Sequence, residues 1–147
     1  MGEPVILPQP DFLIQLRRTQ HAVRNRLDAA LEATGLTLPQ YTVLAALDRA
    51  GELSASGLAR ELGMTAQTLN VLVKGLEAAG LLRRTAHPDH GRILLARLTR
   101  RGRRALQRGR ELALAIQDRL LAGLSPADRA TLVGWLETIE RVPAGST

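Results

Sequence analysis

Six side chains between positions 67 and 92 are of the types that read a nucleic-acid surface: Gln67, Thr68, Asn70, Val71, Lys74 and Arg92. Gln and Asn can each make paired hydrogen bonds to the major-groove edge of adenine, and a Thr or Val methyl can touch the thymine methyl. Lys74, the one lysine of the chain, suits a phosphate. Arg92 follows Gly91 in a turn-rich stretch, and an arginine there can enter a narrow minor groove, where the negative potential is enhanced. No arginine lies between Thr65 and Lys74, so the usual partner of guanine is missing and base contacts should lean towards A·T pairs. The bland alternative for each of these residues is a solvated surface side chain.

Such residues read bases only if a scaffold aims them. With Leu69, Leu72 and Leu76 turned inward, a 3.6-residue period turns Gln67, Asn70, Val71 and Lys74 outward, with Thr68 near the leading edge. Thr65 can cap this helix and stands at the same end of the candidate interface. A preceding short helix, capped by Ser54, stops at Gly63. Ala59, Gly63 and Leu69 supply what two crossing helices need: a small residue at the crossing, a turn that tolerates positive φ, and an apolar plug. Leu58, Leu62, Leu72, Val73 and Leu76 complete the inner face. Strand candidates follow at Leu81 to Thr85 and Arg92 to Leu98, joined by the loop His87-Pro88-Asp89-His90-Gly91. Two helices and then a hairpin make a winged helix-turn-helix, which projects one helix at the width of a major groove.

The remaining segments are helical. Asp11 to Thr34 carries an apolar stripe through Leu16, Val23, Leu27 and Leu31, and Gly35 is a stop signal. Thr37-Leu38-Pro39-Gln40 has the form of a capping box and opens a helix that runs to about Ala50. A long helix is expected from Thr99 through Leu120, weakened by Gly102 and Gly109 by roughly 1 kcal/mol each. Ser125-Pro126-Ala127-Asp128 starts a last helix bearing Leu132, Val133, Trp135, Leu136 and Ile139. The predicted fold is mainly α with a small β-hairpin wing, in the order α-α-α-α-β-β-α-α. Residues 11–141 are read as one domain, with 36–99 as the lobe that carries the wing; 1–10 and 142–147 are read as flexible termini. The long flanking helices have more apolar face than a winged lobe can cover, which suggests that a second copy of the chain packs on them.

Composition narrows the classes. The formal net charge is +6, and between Arg83 and Arg110 ten arginines accompany a single acid, Asp89. A codon bias towards arginine would not also clear acids from that stretch; a cationic footprint for phosphates does. Phe12, Tyr41 and Trp135 are the only aromatics, too few for a base-stacking binder of single strands. There is no cysteine, so no disulfide, thiol switch or Cys-ligated zinc is possible. His87 and His90 in a loop make a poor metal pair, and neither a metal nor a cofactor is expected. Val5-Ile6-Leu7 is too short a run for a leader or a membrane span, and cytoplasmic residence is expected.

Taken together, Gly35-Leu-Thr-Leu-Pro-Gln-Tyr-Thr-Val-Leu44, Leu58-Ala-Arg-Glu-Leu-Gly63, Leu76-Glu-Ala-Ala-Gly-Leu-Leu-Arg-Arg84, Arg92 and Leu98-Thr-Arg-Arg-Gly102 resemble the MarR (multiple antibiotic resistance regulator) family of bacterial transcription factors. The resemblance covers about Asp11 to Arg141. It implies a homodimer in which residues 11–35 and 100–141 form the dimerisation helices and two winged lobes bind a pseudo-palindromic operator. It also implies a repressor released by a small, often aromatic or phenolic, molecule held between the dimerisation and DNA-binding lobes; Arg17, His21 and Tyr41 are the candidate polar handles for it. Relatives that sense oxidants use cysteine, and this chain has none. The family wing commonly carries Asp-x-Arg, where this chain has His90-Gly91-Arg92, so either Asp89 braces the loop from one position away or the wing is looser than the family pattern implies.

No nucleophile elbow, phosphate loop, His-Glu-x-x-His or Cys-His pairing is present, which argues against an enzyme. The leading reading is a sequence-specific, dimeric, DNA-binding transcriptional regulator. The alternative is a non-specific architectural or protein-interaction module on the same fold.

Overall fold

The structure, a computed structural model, describes residues 10–142. Apart from Pro10 and Val142, the segments read as flexible termini lie outside those residues. Helix α1 (Pro10–Leu31) tightens into a 3-10 turn (Glu32–Thr34) and ends at Gly35, whose φ of 71° is open to glycine. Helix α2 (Leu38–Ala50) opens with the expected reciprocal cap: the Gln40 amide donates to the Thr37 hydroxyl, and the Thr37 amide donates to the Gln40 side chain.

The centre of the chain builds the winged lobe. Strand β1 (Leu53–Ser54) leads into α3 (Ala55–Leu62), where the Ser54 hydroxyl accepts the Gly57 N–H. Gly63, at φ 61°, turns the chain into α4 (Ala66–Ala78), which Thr65 caps by accepting the Thr68 N–H. Strands β2 (Leu82–Ala86) and β3 (Leu94–Leu98) pair antiparallel, with Leu82 opposite Leu98 and Ala86 opposite Leu94. Helices α5 (Arg100–Leu120) and α6 (Pro126–Glu140) follow.

The core lies where α2, α3, α4 and the sheet converge. Leu44, Leu47, Leu58, Leu69, Val73, Leu76, Leu82 and Leu106 are all buried there. Each such side chain contributes roughly 1.5–3 kcal/mol by leaving water, so the lobe is held by branched aliphatics in place of aromatics. On α4 the inward residues are Leu69, Val73 and Leu76, while Leu72 is only partly covered.

Two details depart from the sequence reading. The hairpin is the larger part of a three-stranded sheet, order β1-β3-β2, because Leu53 and Ser54 pair with Ala96 and Leu95. And β3 begins at Leu94, not Arg92. The Ile93 amide donates to the His90 carbonyl and the His87 amide to the Ile93 carbonyl, which closes the loop before the ladder starts.

Gly102 and Gly109 also change meaning. They do lower helix propensity, but both are buried contact points. A β-carbon on Gly102 would run into the Leu81 carbonyl, and one on Gly109 would lie 2.8 Å from the Tyr41 ring. Thr99 fastens the same junction: its hydroxyl donates to the Gly80 carbonyl and accepts the Gly102 N–H.

The chain divides into two compact units, the first ending at Ala113 and the second beginning at Leu114. In the second, Ser125 and Asp128 form the capping box that opens α6, and the Arg129 guanidinium donates to the Leu121 and Leu124 carbonyls.

Candidate nucleic-acid interface

Thr65 and the α4 residues Gln67, Thr68, Asn70, Val71 and Lys74 are all exposed, on the side opposite Leu69, Val73 and Leu76. Val71 is 68% exposed, an unusual state for a branched aliphatic in the middle of a 13-residue helix. The Thr65 hydroxyl is engaged at the cap: it accepts the Thr68 N–H at 3.1 Å and donates to the Thr68 hydroxyl at 2.9 Å. That leaves Gln67, Asn70 and Lys74 as the polar groups of the strip without a hydrogen-bond partner among the described residues.

Arg92 is exposed in the loop between β2 and β3 and forms no ion pair among the described residues. Asp89 does not brace it. The Asp89 carboxylate has no cationic partner among the described residues, and its amide donates to Nδ1 of His87 at 3.1 Å. The loop is held by that bond, by the two backbone bonds of His87 and Ile93, and by the His87 and His90 rings, whose centroids lie 5.2 Å apart. Local backbone geometry thus replaces the acid–arginine brace expected from the family pattern.

A contact with no motif of its own ties α4 to the wing. Glu77, on the last turn of α4, accepts from both the backbone amide of Arg84 (3.2 Å) and its Nε (2.9 Å). The guanidinium holds the Glu77 carboxyl below the usual carboxylate range, and the carboxylate in turn raises the Arg84 value. The wing strand is thereby clamped to the helix that carries Gln67 and Asn70. The signal was present in the Leu76-Glu77 and Arg84 spacing, but a helix-to-strand pair has no fixed period to search for.

A half-open groove of about 280 Å³ lies beneath the wing, lined by Ser54, Ala55, Val73, Arg84, Arg92 and Ile93 among others. The three residues read as handles for a ligand lie elsewhere. Arg17 and His21 are exposed one turn apart on α1, with His21 Nε2 3.1 Å from the Asn25 amide nitrogen. Tyr41 is partly buried on α2, its ring against Gly109.

Comparison with known proteins places this geometry among solved folds. A profile described as MarR family matches residues 34–93. The HTH-type transcriptional repressor Rv2887 of Mycobacterium tuberculosis (strain ATCC 25618 / H37Rv) is 36% identical over 124 residues, 84% of this chain and 89% of that protein. The crystal structure of the M. tuberculosis MarR family protein Rv2887 in complex with salicylic acid superposes with a TM-score of 0.70 at 33% identity, covering 93% of this chain and 99% of that one. The transcriptional repressor CouR, solved bound to a 23-mer DNA duplex, superposes with a TM-score of 0.82 at 30% identity, covering 86% and 90%.

Proposed function

The chain belongs to the MarR family, and from that premise we propose that it is a homodimeric, sequence-specific DNA-binding repressor released by a small aromatic or phenolic molecule. The observation that carries this reading is the α4 strip: Gln67, Asn70, Val71 and Lys74 face solvent while Leu69, Val73 and Leu76 are sunk in the core. In this reading residues 36–99 enter the DNA, α4 in the major groove and Arg92 in the adjoining minor groove. Residues 11–35 and 100–141 supply the dimer contacts.

The uncovered apolar side chains support a second copy. Phe12, Leu13 and Ile14 on α1 are each more than half exposed, and on α6 so is Trp135, beside Val133 and Leu136. Large exposed apolar side chains on α1, and separately on α6, are each the kind of surface that association covers. CouR is a repressor solved on duplex DNA, and Rv2887 was solved with salicylic acid. By extension this chain takes a duplex and a small phenolic acid, with Arg17, His21 and Tyr41 as its polar handles. Release follows if the ligand favours a spacing of the two recognition helices other than the roughly 34 Å that successive half-sites require. Among the described residues no helix is long and apolar enough to cross a membrane. A cytoplasmic, non-catalytic regulator is the reading that fits.

The test is selection of bound duplexes from a random pool. Recovery of a palindrome with half-sites one turn apart is expected. Equal recovery of all sequences would instead favour the architectural alternative.

A further inference from the structure

The arginine-rich stretch does not lie on the recognition helix. Five of its arginines, Arg100, Arg101, Arg103, Arg104 and Arg108, fall in the first nine residues of α5, all exposed, with no acid between them. Arg100, Arg104 and Arg108 stand at i, i+4 and i+8, one above another on the face opposite Gly102, Ala105, Leu106 and Gly109.

This arrangement is unfavourable for the free protein. Like charges four apart repel along a helix. Cations in the first turn also oppose the helix dipole, and that turn of α5 holds no acid. Elsewhere the chain gives arginines carboxylate partners: Arg49 with Glu61, Arg84 with Glu77, Arg97 with Glu52, and Arg110, on the same helix, with Asp48 at 2.8 Å. Arg100, Arg104 and Arg108 have none among the described residues. A second copy offers no matching face, because the described acids whose carboxylates have no ion pair or hydrogen bond (Asp11, Glu32, Asp89, Glu140) sit singly, each on a different segment.

We infer that the Arg100–Arg104–Arg108 row is a second polyanion-binding surface, apart from the α4 strip, that takes the phosphate backbone of duplex DNA beyond the recognition-helix contacts. The row spans about 12 Å at 1.5 Å per residue. Phosphates of one strand recur about every 3.4 Å of duplex axis, so three guanidinium groups meet about three of them. Arginine is the fitting residue, since its planar fork pairs with phosphate oxygens two at a time. This inference rests on the DNA-binding reading and extends it from the operator core to its flanks.

The test is the triple variant Arg100→Gln, Arg104→Gln, Arg108→Gln, with binding to 20-bp and 40-bp mixed-sequence duplexes measured across salt concentration. Glutamine keeps helix propensity and relieves the repulsion, so the melting temperature should hold or rise. On the 40-bp duplex the slope of log K against log salt should become shallower by about 2–3 for each protomer, about 5 for the bound dimer, at roughly 0.9 per lost phosphate contact. Binding at 100 mM salt should weaken by at least about tenfold, with a smaller change on the 20-bp duplex. An unaltered slope on 40 bp overturns the inference while leaving the DNA-binding reading intact. Parental protein that binds neither duplex ends both. The variant Gln67→Ala, Asn70→Ala separates the surfaces: it should lose sequence preference and keep the length-dependent part of the slope.

Discussion

Gly102 of α5 lies directly against the backbone of Leu81: a β-carbon at Gly102 would stand 2.9 Å from the Leu81 carbonyl carbon and closer still to its oxygen. The first turn of the long helix can therefore rest on the start of the wing only where a side chain is missing. Gly102→Ala should destabilise by about 2–3 kcal/mol in urea unfolding, although alanine is the better helix former by about 1 kcal/mol. Gly75→Ala, in the last turn of α4 with nothing within 4 Å of the added carbon, should stabilise by up to about 1 kcal/mol. Equal effects of the two changes would mean that propensity alone governs both sites.

The clamp between α4 and β2 gives a pH dependence with a definite sign. Arg84 depresses the Glu77 carboxyl below its ordinary value of 4.5. The contribution is therefore complete above the unfolded-state value and is lost as pH falls through the lower folded-state value. The stability gap between the parent and Glu77→Gln should hold steady from pH 7 to about pH 5 and close below about pH 4. Both side chains are partly exposed, so the gap at neutral pH should be only about 0.5–1 kcal/mol by thermal unfolding. A gap that widens on acidification contradicts the assignment.

Much of this fold was legible from local chemistry. Thr37, Ser54, Thr65 and Ser125 each cap the helix that its spacing predicts, since a cap is a contact within one turn. The outward set on α4 follows from period alone. Contacts that close over longer separations left no readable trace. Strand β1 has two residues, too few for a strand pattern, and its partner lies some 40 positions on. The close approaches at Gly102 and Gly109 looked like helix weakening because their partners, Leu81 and Tyr41, come from other elements.

Arg92 and Asn70 should separate two kinds of DNA contact. Arg92→Ala should weaken duplex binding by about 1–3 kcal/mol without changing the sedimentation of the free protein. Asn70→Ala should relax preference at one base pair in each half-site, by a similar amount, and leave affinity for random duplex nearly unchanged. A parallel loss on every sequence would assign Asn70 to the backbone.

Trp135 is 68% exposed on α6, so replacing it disturbs little within one chain. Trp135→Asp should nevertheless raise the dimer dissociation constant at least about a hundredfold, the scale of a central aromatic contact. Sedimentation velocity over a dilution series checks this. A variant that dimerises like the parent removes α6 from the interface.

Ser54 holds two offices at once: its hydroxyl caps α3, and its backbone pairs with Leu95 of the wing. With Glu77 of α4 joined to Arg84 of β2, each of the two helices of the turn has its own tie to the sheet. Neither tie uses Gln67, Asn70, Val71 or Lys74. On the proposed reading, the letters that choose a binding sequence can thus be rewritten one by one, in natural drift or by an engineer, on a frame whose own integrity is indifferent to them.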